Sequence, residues 1–244
     1  MKVVILAAGM ATRLRPLTTT LPKCLLPVGG TPLLKRALGS IALHHPEEVV
    51  IVTGYLHELI EDFVRSLSLS FPVRCVRNQD FARTNNNYSL WLAMRAIGPT
   101  EMILLDADIL FDQRILSALV RTAEPDALVI REAGSLGAEE IKVECNNAGY
   151  VTKIGKEVDP GLAAGESLGI EKFSPLSFAR LLAVLERRKE WDEFYEAAFQ
   201  EIIDDGARIA TVDAGSYACI EIDTEADLRR AEILANDILP VATL

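Results

Sequence analysis

The apolar run Lys2–Ala8, closed by Gly9 and followed by Arg13 and the pair Pro22-Lys23, constrains this chain more than any other segment. Its apolar residues are continuous rather than alternating, which predicts a parallel strand covered on both faces and hence an α/β architecture. Gly9 lets the backbone turn at the strand's end, so that successive N–H groups can face one anion. Arg13 and Lys23 add fixed positive charge. Together these features suit a polyphosphate. Without one, the same residues make an ordinary strand-to-loop turn with two solvated cations.

Strand-like and helix-like segments alternate from there. Strands are expected at Glu48–Thr53, Pro72–Arg77, Met102–Leu105 and Ala127–Arg131, and helices at Pro32–Leu43, His57–Leu67, Tyr88–Ile97 and Gln113–Ala123. Repeated βαβ units of this kind imply a doubly wound, mostly parallel sheet, whose ligands bind beyond the carboxyl ends of the strands. After Ala133 the rhythm changes. Ile141–Cys145 and Tyr150–Gly155 read as a hairpin around Asn146-Asn147-Ala148-Gly149. Helices at Pro175–Lys189 and Asp192–Asp204, strands at Arg208–Val212 and Ala218–Ile222, and a helix at Glu225–Ile238 complete the pattern. The expected organisation is a single domain over 1–244, with a core at 1–133 that carries the Gly9 loop. Residues 134–204 form a small hairpin and helical insertion, and 205–244 return to the core.

Composition narrows the classes. Half of the 244 residues are hydrophobic and a quarter are charged, enough to bury a core and too apolar for disorder. A formal net charge of −10 argues against broad association with nucleic acid, which depends on a basic face, but leaves room for a local nucleotide site. The apolar stretches are strand-length and the first lacks a basic leader, so a cytoplasmic protein without membrane association is expected. Cys24, Cys75, Cys145 and Cys219 have no paired spacing and read as reduced thiols. The last three fall in expected strands; Cys24 follows Lys23 and has no assigned catalytic role.

Two acidic pairs end strands. Asp106-Ala107-Asp108 follows Met102–Leu105, and Glu221-Ile222-Asp223 ends a later strand with both acids on one face. Mg²⁺ takes a few carboxylates and fills its remaining positions with water and phosphate oxygens. Singly, such aspartates are turn or cap residues, and Asp223 competes with Thr224 to cap the last helix. The run Asn85-Asn86-Asn87 precedes an amphipathic helix: it is either an Asx-type cap or a set of amides suited to the edge of a pyrimidine. Trp191-Asp192-Glu193-Phe194-Tyr195-Glu196 could line a pocket for a cation or be the packed start of a helix.

The segment Leu6-Ala7-Ala8-Gly9-Met10-Ala11-Thr12-Arg13 with Pro22-Lys23 resembles the Leu-Ala-Ala-Gly-x-Gly-x-Arg…Pro-Lys signature of the nucleotidyltransferase superfamily that couples NTPs to phosphorylated sugars and alcohols. Ala11 stands where that signature has its second glycine; if the position needs positive φ, alanine costs of the order of 1 kcal/mol. Thr84-Asn85-Asn86-Asn87-Tyr88-Ser89-Leu90 resembles the Thr-Asn-Asn-x-Tyr-Ser-Leu run of phosphocholine, inositol-phosphate and aminoalkylphosphonate cytidylyltransferases. Gly165–Ser174 is similar to the family's acceptor-binding strand.

The resemblance covers nearly the whole chain and implies a Rossmann-like, nucleotide-diphospho-sugar transferase-like fold. It implies Mg²⁺-dependent transfer from an NTP, with CTP preferred, to a small phosphorylated alcohol or phosphonate, with release of pyrophosphate. Arg13 and Lys23 would neutralise the triphosphate. Leu6, Ala7, Ala8, Gly9, Met10 and Ala11 would cradle the nucleotide, with Gln79, Asn85, Asn86 and Ser89 framing the base. Asp108 and Asp223 would hold the metal, with Asp106 beside them on the nucleotide side. Glu166, Lys172, Tyr195, Glu196 and Glu221 would face the acceptor, Lys172 towards its phosphate. Two readings compete: a sugar-1-phosphate nucleotidyltransferase using UTP, dTTP or GTP, and a non-catalytic nucleotide sensor. The first loop lacks the third glycine of a dinucleotide-binding fingerprint, which argues against an oxidoreductase. The acceptor's identity and any homo-oligomer stay open.

Overall fold

The computed structural model describes residues 1–132 and 136–239. β1 (Lys2–Ala7) runs into a loop that carries one-turn helices at Thr12–Leu14 and Lys23–Leu25 and ends in the short pair β2 (Pro27–Val28) and β3 (Thr31–Pro32). The expected alternation follows: α1 (Leu33–Ala42), β4 (Glu48–Thr53), α2 (His57–Ser66), β5 (Val73–Arg77), α3 (Asn86–Ile97) and β6 (Met102–Asp106). Next come β7 (Ile109–Phe111), α4 (Gln113–Arg121), β8 (Ala127–Arg131), the hairpin β9 (Lys142–Cys145) and β10 (Val151–Gly155), and the long β11 (Gly165–Phe173). The described chain closes with α5 (Pro175–Glu186), α6 (Glu196–Asp204), β12 (Ala210–Asp213), β13 (Cys219–Glu221) and α7 (Glu225–Leu234). Among the described residues no helix is long and apolar enough to cross a membrane.

The main sheet has the order β10-β9-β11-β6-β1-β4-β5, with β8 on β11 and β12 on β8. Its centre, β6-β1-β4-β5, is parallel. The parallel order stops at β6. The expectation that β8 would extend it is corrected, because β11 inserts between β6 and β8 and pairs antiparallel with both. The hairpin read as an insertion therefore belongs to the same sheet, through β9 on β11.

Both faces of β1 are buried, as its unbroken apolar run requires. Val3, Ile5 and Ala7 pack with residues of α1, α2 and α4, while Val4, Leu6 and Ala8 pack with α3, α5 and α6. At roughly 1.5–3 kcal/mol for each large apolar side chain removed from water, this burial anchors β1 from both sides, as it does its neighbours β4 and β6. Of the cysteines, all free, Cys219 lies in the first of these clusters, while Cys75 and Cys145 pack at the margins of the two.

A third apolar cluster has a different role. Leu14, Leu26 and Val28 from the loop after β1 pack with Leu110, Ile222, Ala231 and Ile238. This contact presses the N-terminal loop against β13 and α7, and so brings the chain's late acidic pair to its early cations. α7 is capped by Thr224, whose side chain accepts from the Asp227 N–H while the Asp227 carboxylate takes the Thr224 N–H. Asp223 is thereby released from capping.

Two helices start elsewhere than expected. α3 begins at Asn86 rather than Tyr88, because Asn85 caps it by accepting the Asn86 N–H at 2.8 Å. α6 begins only at Glu196, because residues 191–195 are held in irregular backbone against Asn85 and Asn86.

Ala11 adopts φ 46° and ψ 52°, the left-handed conformation that its substitution for glycine puts at issue. Replacing Ala11 with glycine removes the Cβ strain and forfeits a methyl group that packs on the third cluster. The expected net result for Ala11→Gly is a gain of up to about 1 kcal/mol in urea denaturation. A loss of stability would mean that the methyl contact outweighs the strain.

Candidate active site

The site forms where the parallel strands end. β1 delivers Leu6–Arg13, β5 delivers Asn78, and β6 delivers Asp106, Ala107 and Asp108. With Lys23, Thr84, Asn85, Asn86 and Ser89 they line a cavity of 410 Å³. Gly9 does not occupy the left-handed region; Ala11 makes that turn. A Cβ on Gly9 would meet no protein atom within 4 Å and would stand in this cavity. Its absence leaves the backbone open to close approach by a ligand.

Asp108, Glu221 and Asp223 each offer a carboxylate oxygen, and these oxygens lie within 4.8 Å of one another. The Lys23 ammonium sits among them, 2.7 Å from Asp108 Oδ2 and 2.8 Å from Asp223 Oδ1. Arg13 Nη2 reaches the other Asp223 oxygen at 2.7 Å. Burial works against the charge on Lys23, but Asp108 and Asp223 overcome it and raise the ammonium above the ordinary lysine range. Asp223, partly desolvated, is held below the usual carboxylate range by Lys23 and then Arg13. Glu221 is open to solvent on one side. Even so, desolvation by its neighbours, followed by the charges of Asp108 and Asp223, pushes its carboxyl up to about 8. Asp108 Oδ1 is buried without a hydrogen-bond partner. An orphaned carboxylate oxygen beside two further acids fits a hard cation such as Mg²⁺, which takes oxygen ligands and leaves positions for phosphate. Cys24 lines the same cavity, and burial pushes its thiol up to about 12, which keeps it neutral and unsuited to nucleophilic work.

A second cavity, of 760 Å³, adjoins the first. The two share Arg13, Asn86, Asp106, Phe194, Glu221 and Asp223 as a common wall. Glu166, Tyr195 and Glu196 line the second cavity, with Arg131, Glu139, Glu140, Lys156 and Arg230. Tyr195 donates its hydroxyl to Asp106 Oδ2 at 2.8 Å. Behind that bond lie Glu171, which is 0% exposed, and Glu196, and neither Glu171 oxygen has a partner. Burial and then mutual repulsion with Asp106 and Glu196 drive the Glu171 carboxyl far up; burial pushes Glu196 to about 7 and Glu166 upward.

Most residues singled out from the sequence meet around these two cavities: Leu6–Ala11, Arg13, Lys23, Asn85, Asn86, Ser89, Asp106, Asp108 and Asp223 in the first, and Glu166, Tyr195, Glu196 and Glu221 in the second. Two do not. Gln79 is exposed and lines neither cavity. The buried residue is Asn78, whose Nδ2 donates to Thr84 Oγ1 and Ser89 Oγ, each at 3.1 Å. Lys172 also departs from expectation. It shares a sheet face with Glu166 but lies at the other end of β11, opposite Ala127 of β8 where Glu166 is opposite Arg131. Its Nζ donates to the Thr122 carbonyl at 3.0 Å, and it lines neither cavity. Glu221, expected on the acceptor side, also joins Asp108 and Asp223 in the carboxylate cluster. Gly169 was not legible as a site residue. It has φ 64°, and a Cβ there would come within 2.7 Å of Asp106 Oδ2, so only glycine lets β11 pass beneath that carboxylate.

The buried acids make stability pH-dependent with a definite sign. Between 4.5, the ordinary glutamate value, and about 7, folded Glu196 keeps a proton that the unfolded chain has lost, so stability falls as pH rises through that window. Glu196→Gln should lose less stability than the wild type over the same window, by up to about 3 kcal/mol. Urea denaturation at both ends of it provides the measurement, and parallel losses in the two proteins would show that Glu196 ionises freely.

The geometry has its counterpart in known proteins. A family model described as MobA-like NTP transferase domain matches residues 3–138. The chain is 29% identical over 240 residues to the CMP-5'-(3-aminopropyl)phosphonate synthase of Streptomyces rubellomurinus, covering 95% of this chain and 38% of that protein. It thus spans well under half the length of that relative. It is 27% identical over 248 residues to the choline-phosphate cytidylyltransferase of Streptococcus pneumoniae, covering 97% of this chain and 100% of that protein. The structure of the inositol-1-phosphate CTP transferase from T. maritima superposes with a TM-score of 0.83 at 24% identity, covering 99% of this chain and 97% of that one, a likeness of fold. With more than half of its length matched by the family model, including the Gly9 loop and the β6 aspartates, this chain belongs to the MobA-like NTP transferase domain family.

Proposed function

We propose that this chain transfers the cytidylyl group of CTP to a small phosphorylated alcohol or phosphonate and releases pyrophosphate. The observation that carries the reading is the shared wall. Two cavities of 410 and 760 Å³, one lined by the Gly9 loop and one by the 194–196 segment, meet at Arg13 and the carboxylates Glu221 and Asp223. A donor nucleotide in the first and an acceptor in the second would bring their reacting phosphates together there. The named relatives act on choline phosphate and aminopropylphosphonate substrates, which agrees with an acceptor of that size.

The reaction needs no protein nucleophile. An acceptor phosphate or phosphonate oxygen attacks the α-phosphorus of CTP, the bond from that phosphorus to the bridging oxygen breaks, and pyrophosphate leaves in line. The protein's task is to hold two mutually repelling anions in attack geometry and to neutralise the charge they share. Asp108, Glu221 and Asp223 would hold Mg²⁺, which supplies Lewis-acid charge to the transferring phosphate. Lys23 and Arg13, which pair with Asp108 and Asp223, would neutralise the triphosphate and the departing pyrophosphate. The Ala8–Ala11 loop lines the same cavity, and its backbone N–H groups would cradle the phosphates. Ser89 and Asn86 line that cavity too and would frame the base, with Asn78 fixing the Ser89 hydroxyl.

The test is a matrix of the four common NTPs against choline phosphate, 2-aminoethylphosphonate, inositol 1-phosphate and hexose 1-phosphates, read as pyrophosphate release. CTP with one of the first three acceptors is the expected best pair. A preference for UTP, dTTP or GTP with a hexose 1-phosphate would overturn the base and acceptor assignments. Two substitutions address the charged cluster beside the shared wall. Asp108→Asn should lower turnover by at least about a hundredfold. Lys23→Ala should lower kcat/KM strongly and by a similar factor for every NTP, because phosphates are common to all of them. A Lys23 effect confined to one base would move that residue into the base pocket.

A further inference from the structure

The asparagine run does more than cap a helix. Besides capping α3, Asn85 donates its backbone N–H to the Trp191 carbonyl at 2.5 Å and its Nδ2 to the Asp192 carbonyl at 3.1 Å. Asn86 Oδ1 accepts the backbone N–H of Tyr195 at 2.8 Å. The Trp191 ring meets Tyr88 edge-on at 5.1 Å and Trp91 at 5.4 Å, on residues of α3. Residues 191–195 form no regular helix or strand. Packing of Tyr195 on Phe199 holds one end of the segment in the core, and these hydrogen bonds and aromatic contacts fix it against α3.

That segment carries the wall of the second cavity. Phe194 lines both cavities, while Tyr195 and Glu196 line the second. The Tyr195 hydroxyl passes the placement on to Asp106 Oδ2, at the end of β6. We propose that Asn86 is a positioning residue for the acceptor: its Oδ1 seats the 191–196 segment, and through Tyr195 the acceptor wall, on the same helix terminus that borders the nucleotide cavity. This rests on the reading of the second cavity as the acceptor's. It also divides the Asn86 amide into two duties. Oδ1 is committed to Tyr195, so only Nδ2 remains to face the nucleotide. Among the described residues that nitrogen has no hydrogen-bond partner.

The kinetic test uses CTP with whichever of choline phosphate, 2-aminoethylphosphonate and inositol 1-phosphate the wild type consumes fastest. Asn86→Ala and Trp191→Ala should each raise the acceptor KM by about tenfold, the order expected for losing one buried hydrogen bond or one aromatic anchor. Trp191 lines neither cavity, so Trp191→Ala should leave the CTP KM unchanged. Asn86→Asp retains an oxygen for the Tyr195 N–H but adds a negative charge to the wall that both cavities share, so its readout is the Tyr195 amide rather than KM. Amide hydrogen exchange at Tyr195 gives a readout independent of activity: faster in Asn86→Ala, and slow as in wild type in Asn86→Asp.

An unmoved acceptor KM in Asn86→Ala and Trp191→Ala, with transfer otherwise intact, would overturn the positioning role. So would a Tyr195 amide that exchanges at the wild-type rate in Asn86→Ala. Failure of the functional reading itself looks different: the wild type would transfer no nucleotide to any acceptor in the panel, and the role of Asn86 towards an acceptor would fall with it.

Discussion

Three carboxylates, those of Asp108, Glu221 and Asp223, converge in this fold because the Lys23 ammonium stands between two of them, at 2.7 and 2.8 Å. Unpaired, such a group of acids repels itself, and removing one partner of a largely buried pair typically costs about 3–5 kcal/mol. The contact between Lys23 and Asp223 spans 200 residues of sequence, so the site exists only once the chain is closed. What closes it is apolar. Leu14, Leu26 and Val28 pack with Ile222 and Ala231, and the ion pairs sit on that cluster. The packing brings the charges together, and the charges make the packed geometry specific.

Around this centre lie two cavities. The first opens at the edge where the parallel strands β1, β5 and β6 end. β11 runs antiparallel to β6 and lines the second, turning at Gly169 so that it clears Asp106. Buried acids collect between the two. Asp106, Glu171 and Glu196 are each raised, first by burial and, for Asp106 and Glu171, also by repulsion among acids, and the Tyr195 hydroxyl supplies Asp106 with a hydrogen bond. A carboxyl that keeps its proton can be buried there at far lower cost than a carboxylate. The acidic character of the second cavity's wall thus depends on pH in a way that its composition alone does not reveal.

The elements written in local periodicity were legible. β4 and β8 begin and end where their apolar runs do, and the hairpin turns at Asn146–Gly149, with Asn146 Oδ1 accepting the Ala148 and Tyr150 N–H groups. The strand-end loop with Arg13 and Lys23 and the paired acids after β6 were legible for the same reason, since a strand's end can be read from where its apolar run stops. Errors arose where distance along a strand or pairing with a remote segment decided the outcome. Lys172 has the right face and the wrong end of β11. Gln79 is one position from the buried residue, because a loop after a strand has no fixed period. Residues 192–195 were expected in a helix, and hydrogen bonds with Asn85 and Asn86 hold this stretch out of it.

The sequence by itself determined the α/β class, the buried first strand and the loop that follows it, because burial on both faces and backbone turning are properties of consecutive residues. It also named the cations and acids from which the site is made. Only the tertiary structure decided that β11 lies between β6 and β8, that Glu221 joins Asp108 and Asp223, and that Asn86 binds Tyr195. Each of these depends on contacts between residues far apart in the chain, and their partners are chosen by packing of the whole core, which no local pattern encodes.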